Sequence, residues 1–242
     1  MPAERYYIDS KLHTGDNIEL QDHEFHHLAH VMRTKIGEVV ELVNGQGQLA
    51  QTLVQRIAKR VCYMQIESVT EEPKPAFEII LAQSIPRVNR LDFIIEKGVE
   101  LGLTQLWLLP AKHSERKSFN EQQLEKMKMQ MITAMKQCGR LYLPELHLMQ
   151  PIAKYDKLPY PSYFGDLDPE APSFLKEWKR DGQKGCIILI GPESGFTEDE
   201  IAHLRKIDAH GIKLHPNVLR TDTAALAALT LFTHSLYYDL GN

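Results

Sequence analysis

The amino-acid sequence predicts an α/β fold: a mostly parallel sheet covered on both faces by helices, preceded by a smaller antiparallel β unit. Three observations carry this. Short alternating apolar runs fill the first 70 or so residues, strands and helices then alternate to the end, and the charged, proline-containing stretch Glu71–Pro75 separates the two patterns.

In the first part, Arg5–Ile8, Asn17–Leu20, Glu38–Val43, Gln48–Ile57 and Val61–Val69 read as strands, with Asn44-Gly45 and Gly47 as turns. This is the pattern of a small antiparallel barrel or sandwich. One helix interrupts it: Asp22 is placed to cap a segment whose Phe25, Leu28 and Met32 form an apolar stripe. Two prolines and three charges in Glu71–Pro75 resist both helix and central strand, so a domain boundary is expected there, with residues 1–72 before it and 76–242 after it.

Beyond the linker the expected order is strand Phe77–Gln83, helix Asn89–Leu101, strand Gln105–Leu109 and a long helix over Asn120–Cys138. Strands Glu145–Met149, Ser162–Asp166, Cys186–Ile190 and Gly211–His215 follow, with helices from Thr197 and over Thr221–Leu240. Leu91, Ile94, Ile95 and Leu101, and then Leu124, Met127, Met131 and Cys138, keep helical spacing and mark core faces. Ala224–Leu236 is apolar nearly all round, which suits a helix with one face in the core and another at an interface between two copies of the chain.

At 242 residues and 43% hydrophobic content the chain has ample core. No apolar run approaches the roughly 20 residues of a membrane span, and no charged-then-apolar leader opens the sequence, so a cytoplasmic protein is expected. Cys62, Cys138 and Cys186 lie far apart and read as reduced thiols. His23, His27 and His30 share a helix face at metal-like spacing, but no fourth ligand is evident and no metal is expected.

The net charge of −4 requires any nucleic acid to be met by a local patch. Only residues 73–150 are net positive, with 11 Lys and Arg against 8 Asp and Glu. Arg87, Arg90, Arg116 and Arg140 are placed for phosphate contacts, Lys112 and Lys117 lie nearby, and Lys126 and Lys128 fit a solvated helix face.

The chemistry concentrates in two blocks, CIILIGPESGFTEDEI (Cys186–Ile201) and LHPNVLRTDTAALAAL (Leu214–Leu229). In each, an apolar run stops at a Gly or Pro turn and passes into helix, leaving main-chain groups unpaired at one shared edge, where ligands of parallel sheets collect. Gly191 and Gly195 permit close backbone approach, Pro192 fixes a dihedral, and Thr197 with Glu200 forms a capping box. Neither a P-loop nor a G-x-G-x-x-G turn is present, which disfavours a nucleoside triphosphate or dinucleotide and with it an NAD-dependent oxidoreductase. One carboxylate, Glu193, beside bare backbone suits a cationic ligand rich in donors and acceptors, a description that S-adenosylmethionine meets.

Taken together, HHLAHVMRTKIGEVVELVNGQG (His26–Gly47), EKGVELG (Glu96–Gly102), SERKSF (Ser114–Phe119), QCGR (Gln137–Arg140), IGPESGF and LRTDTA resemble, in order and over nearly the whole chain, the RsmE-type 16S rRNA (uracil-N3) methyltransferase family of the SPOUT superfamily. The resemblance implies a C-terminal SPOUT α/β domain with a trefoil knot, a smaller N-terminal PUA-like β-barrel domain that binds RNA, and a homodimer acting on the small ribosomal subunit. Its implied activity is S-adenosylmethionine-dependent methylation of uridine N3. The alternatives are another SPOUT RNA methyltransferase, such as one acting on a tRNA ribose oxygen, or a non-catalytic RNA-binding protein.

Carried onto this chain, Ile190, Gly191, Pro192, Glu193 and Gly195 would form one cofactor loop. Leu214, His215, Leu219, Arg220, Thr221 and Ala224 would form or flank another, and Asp166–Asp168 a third. Arg140 and Arg116 are the candidates for stabilising the N3 anion or clamping the flanking phosphate, and Arg33, Arg87, Arg90, Lys112, Arg116 and Lys117 for RNA contact. No general base is identifiable. Cys138 reads as packing, since methylation at nitrogen needs no covalent adduct. The sequence departs from the family pattern at Ser194, where Gly is usual, at His215 and Asn217, where Gly and Arg are usual, and at Cys138, where Ser is usual. His215 bears most on the pocket's shape, because its ring would cover or narrow the adenine slot.

Overall fold

The computed structural model describes residues 4–114, 116–178 and 182–238, and these fall into two compact units. The first comprises the residues up to Lys74 together with Ile132–Leu143; the second comprises Pro75–Met131 and the residues from Pro144 onward.

The first unit is built on a five-stranded sheet of β1 (Arg5–Tyr7), β2 (Asn17–Leu20), β3 (Val39–Val43), β4 (Gln48–Ile57) and β5 (Cys62–Glu71) in the order β1-β3-β4-β5-β2. All neighbours are antiparallel except β1 and β3, which run parallel. β1 and β2 lie at opposite edges, so the predicted barrel is a curled half-barrel. Register shifts in the β4–β5 pairing at Gln51/Thr52 and Val54/Arg56 supply the curl. Inward alternation along β3, β4 and β5 buries Leu42, Val54, Met64 and Ile66 with Tyr6, Leu12 and Leu28.

The predicted helix begins with α1 (Asp22–His26) and widens into a π-helical turn over His27–Met32. Two expectations change here. Asp22 is not the cap: Gln21 takes that position without a side-chain bond, and Asp22 itself adopts φ 51 because the chain must turn sharply out of β2. Met32 leaves the apolar stripe and is 40% exposed, because the wider turn rotates it away from Phe25 and Leu28. Glu24, on α1, pairs with Lys136 Nζ at 2.6 Å, both nearly buried.

After Lys136, residues 139–143 dock against the turn between β3 and β4. Gly47 N donates to Leu141 O and Leu143 N to Gly45 O, each at 2.9 Å. Gly45 and Gly47 adopt φ +69 and +93, and a Cβ on Gly45 would stand 2.9 Å from Leu143 Cβ. The left-handed backbone and the close approach both require glycine there.

The second unit holds a six-stranded sheet: β6 (Glu78–Ser84), β7 (Gln105–Leu109), β8 (Glu145–Leu148), β9 (Ser162–Gly165), β10 (Gly185–Ile190) and β11 (Ala209–Ile212), in the order β11-β9-β10-β6-β7-β8. Every adjacent pair is parallel, as the continuous apolar runs predict. The helices are α2 (Val88–Glu100), α3 (Glu121–Cys138, shared between the units), α4 (Phe174–Glu177), α5 (Glu198–Lys206) and α6 (Thr221–Tyr238). On one face Ile80, Ala82, Ile187 and Leu189 share a core with Leu204 of α5 and with Ile207 just after it. α6 packs on α2, β6 and β10 through a face containing Ala225, Ala228, Leu229 and Phe232, while Leu226 and Leu231 stay half-buried. The last two residues of the predicted final helix lie outside the described ones.

Two differences concern the edge where the site forms. The strand expected at Gly211–His215 is Ala209–Ile212, because Asp208, at φ 65, turns the chain from α5 into the sheet within a residue. Leu214 and His215 are thereby released from the sheet. The short α4 and the 3-10 turn at Ile152–Lys154 carry no periodic signal and were not expected.

Candidate functional site

A cavity of about 550 Å³ opens beyond the carboxyl ends of β9, β10 and β11. Three loops wall it: Gly165–Asp168 after β9, Ile190–Phe196 after β10, and Leu214–Thr221 between β11 and α6, with one flank of α5 completing the enclosure. The volume suits a drug-sized ligand.

Each loop is shaped by local chemistry. In the β10 loop, Gly195 adopts φ +75 and its amide closes a turn onto Pro192 O at 2.9 Å. A Cβ on Gly191 would stand 3.1 Å from Phe196 N and 3.2 Å from Gly195 C, so the turn closes this tightly only around glycine. The capping box follows as predicted: Thr197 Oγ1 accepts from Glu200 N, and Glu200 Oε2 accepts from Thr197 N at 2.9 Å. After β9, the Asp166 carboxylate is 6% exposed, accepts from Asp168 N at 3.0 Å and pairs with Arg205 Nη2 at 2.9 Å. In the third loop, Asn217 N donates to His215 Nδ1 at 3.1 Å, which places the proton of the neutral ring on Nε2. Thr221 Oγ1 donates to Gly191 O at 2.7 Å and ties this loop to the one after β10.

Of the residues expected to hold a cofactor, Ile190, Gly191, Pro192, Glu193, Gly195, Leu214, His215, Leu219, Thr221 and Ala224 all line the cavity, as do Asp166 and Asp168. Arg220 is exposed and lies outside the lining; its carbonyl accepts from Ala224 N at 2.7 Å in the first turn of α6. The Glu193 carboxylate is already engaged. Its Oε1 accepts from Arg87 N at 3.1 Å and lies 3.4 Å from Arg90 Nε, and Arg90 also pairs with Asp222 at 3.0 Å. Arg90, expected on phosphate, is thus bound to two carboxylates that fasten α2 to the loop after β10 and to the first turn of α6.

The other basic candidates are dispersed. Lys117 Nζ donates to Ala111 O and Lys112 O, and Lys112 N donates to Glu200 Oε1 at 2.9 Å. Both lysines border a second, apolar cavity of about 390 Å³ that Pro110, Pro151 and Ile152 also line. Arg116 lies 5.5 Å over the Phe119 ring. Arg33 is exposed at φ 59 in the first unit, where the half-buried Arg140 also belongs.

Burial pushes the Cys62 thiol up to about 11 and raises that of Cys186, leaving both protonated at neutral pH. Cys138 is half-buried, with Sγ 3.6 Å from Met135 O. Among the described residues no group of three or more His, Cys, Asp and Glu is arranged to hold a metal, and no helix is long and apolar enough to cross a membrane. His26 and His30 lie with ring centroids 5.1 Å apart and ring planes tilted by 49°.

The family model for an RNA methyltransferase domain matches residues 72–233, and that for an RNA methyltransferase PUA domain matches residues 20–67. The chain belongs to the RNA methyltransferase family.

This methyltransferase is 28% identical over 233 residues to the ribosomal RNA small subunit methyltransferase E of Rickettsia conorii, covering 95% of this chain and 94% of the relative. It is 25% identical over 249 residues to the protein of that name from Bacillus subtilis, covering 96% of each. Among solved structures it resembles the ribosomal RNA small subunit methyltransferase E of Neisseria gonorrhoeae bound to S-adenosyl methionine, with TM-score 0.86, 25% identity and coverage of 97% and 98% of the two chains. A Legionella pneumophila chain solved with bound SAM gives TM-score 0.84 at 25% identity, covering 97% of this chain and 98% of that one.

The methyltransferase's cavity also uses residues that the sequence did not single out: Ile201, Ala202 and Arg205 of α5, and Val218. The first three sit at helical spacing behind the capping box, a signal that would have aimed that helix face at the turn it caps. Val218, 78% exposed at the rim, carries no comparable signal.

Proposed function

We propose that this enzyme transfers a methyl group from S-adenosylmethionine to N3 of a uridine in small-subunit ribosomal RNA, as a cytoplasmic homodimer whose residues 1–72 form an RNA-binding domain and residues 76–242 the methyltransferase domain with a trefoil knot. The observation that carries the reading is the convergence of three main-chain-rich loops on one cavity in a chain of the RNA methyltransferase family. The names of its relatives, and the cofactor in two structures like it, support the donor and the substrate class.

The residues present suit that cofactor. A Cβ at Gly165 would stand 3.5 Å from Leu214 Cδ1 and 3.7 Å from Ile190 Cδ1, so the glycine leaves room between two apolar side chains of the wall. Leu167 and Val218, 68% and 78% exposed, offer apolar surface at the rim for a flat ring, and Asp168 and Glu198 keep the lining acidic toward a cationic group. S-adenosylmethionine supplies the electrophilic methyl when bound. The loops after β9, β10 and β11 hold and orient it. An unpaired or flipped base gives access to N3. Arg140 and Arg116 stabilise the uracil oxygens or clamp the adjoining phosphate while solvent takes the N3 proton, and neither acts as a base.

The test is the nucleoside content of 16S rRNA from cells lacking the protein. Absence of 3-methyluridine, restored by the wild-type gene, supports the reading; unchanged 3-methyluridine sinks it. Arg140→Ala should remove most methylation in vitro while leaving calorimetric affinity for S-adenosylmethionine nearly intact, and equal loss of both argues against the assigned role.

A further inference from the structure

The first unit carries a basic feature that the net-positive middle of the chain does not include. Residues 1–72 hold 11 Asp and Glu against 7 Lys and Arg, yet from Leu42 to Ile66 there is no acidic residue at all. The cations of that stretch are Arg56, Lys59 and Arg60, gathered on the β4–β5 hairpin. All three are exposed, and among the described residues none makes an ion pair. Arg56 lies with its guanidinium carbon 3.8 Å from the centroid of the Tyr63 ring, directly across the hairpin.

Backbone geometry explains how these groups are displayed but not why they are cationic. The register shift between Val54 and Arg56 breaks the in–out alternation, so Gln55 and Arg56 are both exposed. Gln55 Nε2 donates to Gln65 Oε1 at 2.9 Å, setting a planar amide pair on the same two strands. Ala58 N donates to Val61 O at 2.9 Å, which makes Lys59 and Arg60 the two central residues of the turn. Tight hairpin turns favour Asn-Gly or Gly-containing pairs, so a Lys-Arg pair answers to something other than the turn. In the sheet, Glu19, opposite Tyr63 on β2, accepts from Gln21 Nε2 at 3.0 Å, and Glu38, beside Val54, accepts from Lys35 N at 3.0 Å.

We propose that the β4–β5 hairpin is an RNA-binding finger that takes an unpaired stretch of the substrate, with phosphates on Lys59 and Arg60 and a base stacked on the outer face of the Arg56–Tyr63 pair. A guanidinium held over an aromatic ring is a stacking platform for any base, and two turn cations with no carboxylate partner among the described residues match a phosphate backbone in charge. The inference rests on the reading that the substrate is RNA and adds a contact surface separate from the cofactor cavity.

The test titrates protein-free 16S rRNA with wild-type enzyme and with the Lys59→Gln/Arg60→Gln double variant between 50 and 200 mM salt. Loss of two phosphate contacts to single strands should reduce the slope of log affinity against log salt by about 1.4 and weaken binding roughly tenfold near 0.1 M salt. Tyr63→Ala should weaken binding without changing that slope, and Tyr63→Phe should restore it. Because the turn side chains are exposed, melting temperature and S-adenosylmethionine affinity should match wild type. Identical affinities and slopes for the double variant and wild type overturn the finger. Weaker sedimentation of the variant with intact subunits, with unchanged binding to naked RNA, also overturns it, because the hairpin then meets a protein. Wild-type enzyme that fails to bind rRNA at any of these salt concentrations sinks the substrate reading instead.

Discussion

Thr221 Oγ1 donates its proton to the carbonyl of Gly191 over 2.7 Å and accepts from the amide of Gln83 at 3.0 Å, joining the first turn of α6, the loop after β10 and the end of β6 through one hydroxyl. Thr221 is 5% exposed and Gln83 fully buried, so neither partner has water as a substitute. Thr221→Val keeps the shape and removes both bonds. It should destabilise the protein by about 1–3 kcal/mol in denaturant titrations and weaken S-adenosylmethionine binding about tenfold, whereas Thr221→Ser should stay close to wild type.

The glycines of the β10 loop differ in what they tolerate from the serine between them. Gly191→Ala forces its new methyl against the backbone of Gly195 and Phe196, at 3.2 Å and 3.1 Å, and the turn must open. Calorimetry should show at least a tenfold loss of cofactor affinity. Ser194→Gly, which installs the residue that the RsmE-type resemblance implies there, should change that affinity by less than about twofold.

Lys136 and Glu24 form a nearly buried pair in the first unit, with side chains 13% and 11% exposed. Among the described residues Glu24 Oε2 has no hydrogen-bond partner, so Lys136 is its carboxylate's main compensation. Lys136→Met should therefore cost about 3–5 kcal/mol in urea unfolding. The double variant Glu24→Leu/Lys136→Met, which removes both charges, should recover most of that loss.

The three thiols should separate by rate. A chromogenic disulfide at neutral pH should label Cys138 first, while Cys62 and Cys186 react only as the protein unfolds. The raised Cys62 value also gives a direction with pH: above about 9 the unfolded chain releases the thiol proton that the folded chain keeps until about 11. Stability should thus fall as pH rises through that window, and Cys62→Ala should reduce the fall in alkaline denaturation curves.

Most of the fold was legible because its signals are local. The apolar runs that became β6, β7 and β10 are long and uninterrupted, and Thr197 with Glu200 fixes the start of α5 to the residue. The loop after β10 was legible for the same reason, since it begins where an apolar run meets Gly191 and Pro192. What escaped depends on distant partners. The fate of the Glu193 carboxylate is decided by Arg90, over a hundred positions away in sequence. The exposure of Met32 follows from a π-helical turn, a shift that hydrophobic spacing does not encode. The ion pair of Arg205 on α5 with Asp166 after β9 joins residues 39 positions apart, a pairing that helical spacing does not encode.

The strand order has a consequence for how the enzyme comes into being. β6, made early, lies between β7 and β10, and the latter is synthesised about a hundred residues later. Every wall of the cavity is drawn from residues 165–224, and its clasp at Thr221 from the start of α6. On the ribosome, the half-barrel and its basic hairpin therefore emerge and can fold while the reagent pocket does not yet exist. The residues of the hairpin thus precede every wall of the cavity along the chain.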